Sequence, residues 1–232
     1  MTPHRFRLNP AARLHLETTS AGCPVVIVDD FYADPMGVRE LALQSRYDSS
    51  VAYYPGLHSG IDPNELSPLS EQICRLVTLL SDVTCSPQDI VSDFSVVTTR
   101  ARDMLAMQKH PHVDPVDMAG IVYLNPGLEI GTSMFRHLPL GLAALRTEEE
   151  YKRYHEWLDA EGERTQPETY AIGNDGIWGH LHTITGKFNR LAMYPGNFFH
   201  SIAMSDVAGD GSLNQARLTQ RIFIGKVTPY SR

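Results

Sequence analysis

The residues best placed for chemistry are His112, Asp114 and His200. The first two lie two positions apart in Lys109-His110-Pro111-His112-Val113-Asp114, and His200 closes the apolar run Leu191-Ala192-Met193-Tyr194-Pro195-Gly196-Asn197-Phe198-Phe199-His200. Side chains in a strand alternate between faces, so positions i and i+2 present an imidazole and a carboxylate side by side. A second imidazole from another strand completes a two-histidine, one-carboxylate set. Such a set holds a divalent metal, Fe(II) above all, and leaves coordination positions open for reactants. Downstream runs a basic strand, Arg217-Leu218-Thr219-Gln220-Arg221-Ile222-Phe223-Ile224, in which Arg217, Thr219 and Arg221 share one face.

The order of the surrounding segments sharpens this reading. After His112-Val113-Asp114 comes a strand-like run, Met118 to Asn125, and a Pro126-Gly127 turn. Then follow the glycine-led Gly131-Thr132-Ser133-Met134-Phe135-Arg136-His137, a helical stretch, the apolar strand into His200, and the Arg217-x-Thr219 pair. Over roughly His110 to Ile224 this succession resembles the Fe(II)/2-oxoglutarate-dependent dioxygenases, most closely their prolyl-4-hydroxylase-like branch and its uncharacterised bacterial relatives. Two features depart from that pattern. The distance from His200 to Arg217 is long, requiring an inserted loop from Asp206 to Gln215. Ile130-Gly131-Thr132 also stands where a Gly-Gly-Glu is usual.

The resemblance implies Fe(II) held by His112, Asp114 and His200, with 2-oxoglutarate and O2 as cosubstrates. It also implies a basic residue for the far carboxylate of 2-oxoglutarate. Arg217 is the expected anchor because a guanidinium fork grips a carboxylate bidentately, with Thr219 adding a hydroxyl. Arg221, one pleat further on, is the rival. Tyr123 and Asn125 share a face and are expected to contact the cosubstrate. Arg136, His137, Trp178 and the spare arginine are the expected substrate-binding residues, with Arg190 as a further carboxylate reader. An intact carboxylate at Asp114 argues for hydroxylation over halogenation, since related halogenases carry Gly or Ala there.

The 232 residues suit a single domain with a real core. A hydrophobic fraction of 42% against 20% charged residues describes a folded chain. The net charge of -7 argues against a nucleic-acid backbone as partner, which needs clustered Lys and Arg. Met1 to Thr19 contains no apolar signal-like core, and no run approaches the ~20 apolar residues of a membrane span. Cys23, Cys74 and Cys85 cannot all pair, form no C-x-x-C and read as buried or incidental thiols of a reducing compartment, so a cytoplasmic location is expected. The oligomeric state stays open, a homodimer included.

The positioning elements follow from pattern. Pro24 to Phe31 reads as a strand, and Asp34-Pro35 as the N-cap of a helix through Gln44. Residues 47–64 read as a long loop, with Tyr53, Tyr54 and His58 at a site mouth. Ser67 to Leu80 reads as a helix whose Ile73, Leu76, Val77 and Leu80 form one face. Gln88 to Thr99 is strand-like, and Thr147 with Glu150 forms a capping box for a helix ended by Gly162. Together these predict a mainly β fold with some α, a double-stranded β-helix (jelly-roll or cupin-like barrel). Residues 1–90 would be an α/β support region and 91–227 the jelly-roll core. A helical insert, 138–175, would hang over the mouth as a lid.

The favoured activity is oxidation of a small polar molecule such as an amino acid. Two rivals stay in view. One is a cupin-type metalloenzyme without 2-oxoglutarate, using the His110-x-His112 and His180-x-His182 pairs with Asp114 or Asp117. The other is an inactive jelly-roll binding module.

Overall fold

The computed structural model describes residues 5–48, 55–80, 85–207 and 215–225. Among these residues ten strands form two antiparallel sheets. The large sheet contains β1 (Arg13–Thr18), β2 (Pro24–Asp29), β3 (Leu57–Gly60), β4 (Ile90–Val97), β5 (Met118–Tyr123), β8 (Leu191–Pro195) and β10 (Arg217–Ile224), in the order β1-β2-β8-β5-β10-β4-β3. The small sheet has β6 (Thr132–His137), β7 (Trp178–Ile184) and β9 (His200–Ile202), in the order β7-β6-β9. An isolated antiparallel bridge between His112 and His200 adds a fourth member beside β9.

From β4 onward the chain alternates between the sheets. It visits large (β4), small (the His112 bridge), large (β5), small (β6, β7), large (β8), small (β9) and large (β10). This alternation is the double-stranded β-helix, and it matches the expected fold class. The N-terminal segment is built into the same sheet, because β2 pairs with β8 and β3 with β4.

Two helices cover the outer face of the large sheet: α1 (Pro35–Gln44) and α2 (Pro63–Leu80). Asp34 caps α1 as expected, its side chain accepting from the Gly37 amide. Val38 and Ala42 of α1, and Leu66, Leu69, Ile73 and Val77 of α2, pack on Val26, Val122, Leu218 and Ile222. The other parity of the same strands, including Ile121, Tyr123, Ala192 and Tyr194, meets Met134 and Ile184 of the small sheet to form the barrel interior. The stretch expected to be a loop contains β3, and α2 starts earlier than expected with Pro68 inside it. Proline at the sixth helical residue forgoes the bond its amide would make to the Asn64 carbonyl, a cost of ~3 kcal/mol that the burial of Leu66, Leu69, Ile73 and Val77 offsets. Tyr53 and Tyr54 lie outside the described residues.

Two expectations need correction. Cys74 and Cys85 are joined in a disulfide, because α2 brings their Cα atoms to 5.0 Å, inside the usual bridging range. Only Cys23 is free, and the argument from free thiols to a reducing compartment loses its basis. The helix of the insert also does not lie over the mouth. This helix, α4 (Glu148–Glu161), which follows the short α3 (Ala106–Lys109), is capped by Thr147 and Glu150 as expected. Tyr154, with Trp157 and Leu158, lies against Phe135, Trp178 and Phe199 on the outer face of the small sheet. That face is apolar and would otherwise meet water, so burial draws the helix behind the barrel rather than across its mouth. Among the described residues, no helix is long and apolar enough to cross a membrane.

Candidate metal centre

Three backbone contacts position the ligand set. The amides and carbonyls of His112 and His200 bond reciprocally (2.9 and 2.8 Å), and the Asp114 amide donates to the Gly196 carbonyl (2.8 Å). Gly196 is needed for this approach, since a Cβ there would lie 2.5 Å from the Val116 carbonyl oxygen and 2.8 Å from that of Asp114. The side chains then converge. Asp114 Oδ1 is 3.7 Å from His112 Nε2, Asp114 Oδ2 is 3.2 Å from His200 Nε2, and the imidazole centroids are 4.1 Å apart. Neighbouring ligands on an octahedral ion with bonds of ~2.1 Å lie ~3 Å apart, so the set fits a metal with small adjustments. It is the single group of three such ligands among the described residues.

Electrostatics prepare the donors. His200 Nδ1 donates to the Phe198 carbonyl at 2.9 Å, which aims its Nε2 lone pair at the centre. His112 is held neutral, its pKa pushed well below the ordinary imidazole value by burial, then by His200 and Arg221. A neutral imidazole is the form that binds metal. Tyr194 stacks edge-on against His200 at 4.9 Å, and burial keeps its hydroxyl protonated.

The three ligands line one cavity, open to solvent, together with both arginines of β10, Ser95, Thr132 and Tyr194. The arginines differ in their partners. Arg221 sits opposite Asp93 in the strand register and grips its carboxylate with Nε (2.8 Å) and Nη2. Arg217 is 6% exposed, and its contacts are long bonds to the Ile130 and Gly131 carbonyls (3.3 Å each) and the Tyr123 ring at 5.5 Å. No carboxylate pairs with it among the described residues. Burial lowers its pKa, the signature of a charge taken from water without an opposite partner. Gly131 permits this arrangement, since a Cβ would come within 1.8 Å of the Ile184 carbonyl oxygen.

The remaining expected residues divide. Tyr123 faces the interior beside Arg217, its hydroxyl 3.0 Å from Thr132 Oγ1. Thr219 shares the parity of Arg217 and donates to the Ser95 carbonyl at 3.5 Å. Asn125 does not join them. Its amide donates to the Ala216 carbonyl (2.9 Å) and its carbonyl accepts from the Leu218 amide (2.6 Å), clamping the entry to β10. Arg136 donates to the Gly141 carbonyl at 3.0 Å, away from the cavity. His137 and Trp178 are buried on the outer side of the small sheet with Trp157 and Tyr154. Arg190 is taken by Asp29 through Nε (2.7 Å) and Nη2 (3.1 Å). Of the expected substrate readers, Arg221 alone reaches the cavity.

The histidines of the cupin alternative have other work. His110 Nδ1 accepts from Trp178 Nε1 at 3.1 Å, so its Nε2 donates to the Gly162 carbonyl at 2.8 Å. His180 bonds Thr183, and His182 lies 3.0 Å from Glu17. His58 is buried 3.9 Å from Asp93, and its pKa is pushed down to about 4 by burial and by Arg221.

A family model described as "Family of unknown function (DUF6445)" matches residues 10–224. No curated protein matches the chain by sequence. Among solved structures, a prolyl-4-hydroxylase from Pseudomonas putida is 12% identical with a TM-score of 0.46, covering 87% of this chain and 92% of that one. The non-heme alpha ketoglutarate dependent epimerase SnoN from nogalamycin biosynthesis is 14% identical, TM-score 0.46, covering 87% and 78%. HygX from Streptomyces hygroscopicus, with nickel and 2-oxoglutarate bound, is 11% identical, TM-score 0.48, covering 88% and 83%. At TM-scores below 0.5 these likenesses carry nothing about chemistry. The fold rests on the strand order, and the site on its own geometry.

Proposed function

This chain belongs to the DUF6445 family, and we propose that it is a non-haem Fe(II)/2-oxoglutarate-dependent oxygenase that hydroxylates a small polar molecule. The observation that carries the reading is Arg217: a buried guanidinium without a carboxylate partner among the described residues, on the same cavity as a His-Asp-His set. A buried charge of this kind costs stability unless a ligand supplies its counter-charge. A dicarboxylate that reaches the metal with one end and Arg217 with the other does so.

The donor set fits Fe(II), and the bound metal with 2-oxoglutarate and O2 would supply the oxidising power. The chain's own residues do the positioning. His112, Asp114 and His200 would hold the metal, and all three line the cavity. The Tyr123 ring lies under the Arg217 guanidinium in a cation–π contact, and Thr132 bonds the Tyr123 hydroxyl. Arg221, fixed by Asp93, lines the same cavity, where its remaining N–H groups would favour a carboxylate or carbonyl of the substrate. The test is 2-oxoglutarate binding by calorimetry, with and without Fe(II) under anaerobic conditions, followed by a metabolite screen for succinate release. The reading fails if the Fe(II)-loaded protein binds no 2-oxoglutarate.

A further inference from the structure

β1 is the outermost strand of the large sheet, paired with β2 on one side from Arg13↔Asp29 to Thr18↔Pro24. The turn settles which of its amides face outward. The Thr19 amide donates to the Cys23 carbonyl at 3.0 Å. By the alternation of antiparallel ladders, residues 13, 15 and 17 then exchange bonds with β2. Leu14, Leu16 and Thr18 therefore direct their N–H and C=O groups away from the sheet. Among the described residues no strand takes that edge. The side chains are also uncovered: Leu16 is 61% exposed and Leu14 46%. A six-residue edge with open backbone groups and alternating leucines is a template for another strand.

We propose that β1 is a dimerisation edge, pairing antiparallel with the partner's β1 about a two-fold axis through His15. Three features of the sequence Arg13-Leu14-His15-Leu16-Glu17-Thr18 select this occupant and this register. A two-fold axis between residues would set an outward-facing position against an inward-facing one, so the axis must pass through a residue. An axis at Leu14 sets Arg13 against the partner's His15. An axis at Leu16 sets Leu14 against the partner's Thr18. The axis at His15 sets Leu14 against the partner's Leu16 as the hydrogen-bonded pair and Arg13 against the partner's Glu17, each repeated by symmetry. Apolar and opposite-charge pairs directly across strands are the stabilising ones. Arg13 and Glu17 are exposed enough to serve, with side chains 68% and 38% accessible.

Sedimentation equilibrium from about 1 to 200 µM tests this. The wild-type protein is expected to reach twice the monomer mass, and the Leu14 and Leu16 amides to gain hydrogen-exchange protection as concentration rises. Leu16→Lys should weaken association at least tenfold, as should Arg13→Glu or Glu17→Arg alone. The double variant Arg13→Glu/Glu17→Arg should restore it. That rescue separates pairing across the axis from loss of the internal Arg13–Asp30 and Glu17–His182 contacts, which the double variant also breaks. A monomer throughout the range, or a dimer indifferent to all four variants, overturns the proposal.

Discussion

Replacing Arg217 by Met should move stability in opposite directions with and without cosubstrate. Without it, the wild-type protein keeps a guanidinium 6% exposed against two carbonyls at 3.3 Å and an aromatic ring. Met removes that desolvated charge and fills similar volume, so the ligand-free variant should be as stable as wild type or more so. With metal and 2-oxoglutarate at 100 times the wild-type dissociation constant, linkage stabilises the wild type by about 2.7 kcal/mol. A charge-assisted bond to a carboxylate contributes about 1.5–3 kcal/mol. Losing 2 kcal/mol of it weakens binding ~30-fold and leaves about 0.9 kcal/mol of stabilisation at the same ligand concentration. For a chain of this size 1 kcal/mol is ~2–4 °C, so the wild-type shift of roughly 5–11 °C should fall to roughly 2–4 °C. Differential scanning calorimetry with Mn(II) as an inert metal reads both halves. Equal ligand-induced shifts in the two proteins, or a variant clearly less stable without ligand, would refute the counter-charge argument.

Other expectations follow from neighbouring groups. His137 is fully buried among Trp157, Trp178 and Tyr154, and burial pushes its pKa down to about 4 from an ordinary 6.5. The unfolded chain binds that proton below pH 6.5 and the folded protein does not until about pH 4. Stability should therefore fall through this window by about 3 kcal/mol from this residue. In urea unfolding at several pH values, His137→Phe should flatten the slope, and an unchanged slope would remove His137 as its source. Arg221→Ala should leave 2-oxoglutarate affinity within about twofold while raising the KM of the substrate, once identified; the reverse pattern would exchange the roles of the two arginines. His200→Ala should weaken Mn(II) binding, followed by electron paramagnetic resonance, by more than the 10–100-fold typical of losing an outer hydrogen-bond partner. Retention of wild-type affinity would move the metal elsewhere.

The ligand set was legible because it depends on local rules. Parity places His112 beside Asp114, and the apolar run marks His200, although that run breaks after Pro195 and His200 opens β9 of the other sheet. Capping chemistry located α1 and α4 for the same reason. Cross-strand facts were not legible. That Asp93 neutralises Arg221 depends on the β4–β10 register, which no single segment encodes, and this pairing is what distinguishes the two arginines. Thr132 and Tyr194 line the cavity through strand order, with no motif to mark them. Trp178 and His137 carry side chains suited to a binding site, yet the packing of α4 turned their face into a second core. The Cys74–Cys85 bridge depends on where α2 ends relative to the strand that follows it, and sequence spacing alone gave no sign of it.

The proposed activity requires one cavity to hold a metal at one end and a carboxylate at the other. A crystal structure of the protein with Mn(II) and 2-oxoglutarate, with anomalous scattering collected at the manganese edge, tests it directly. The expected result is a single metal peak bound by His112 Nε2, Asp114 and His200 Nε2, with the far carboxylate of 2-oxoglutarate on the Arg217 guanidinium. A metal peak away from these three side chains, or a carboxylate bound elsewhere with Arg217 still facing the Ile130 and Gly131 carbonyls, would contradict it.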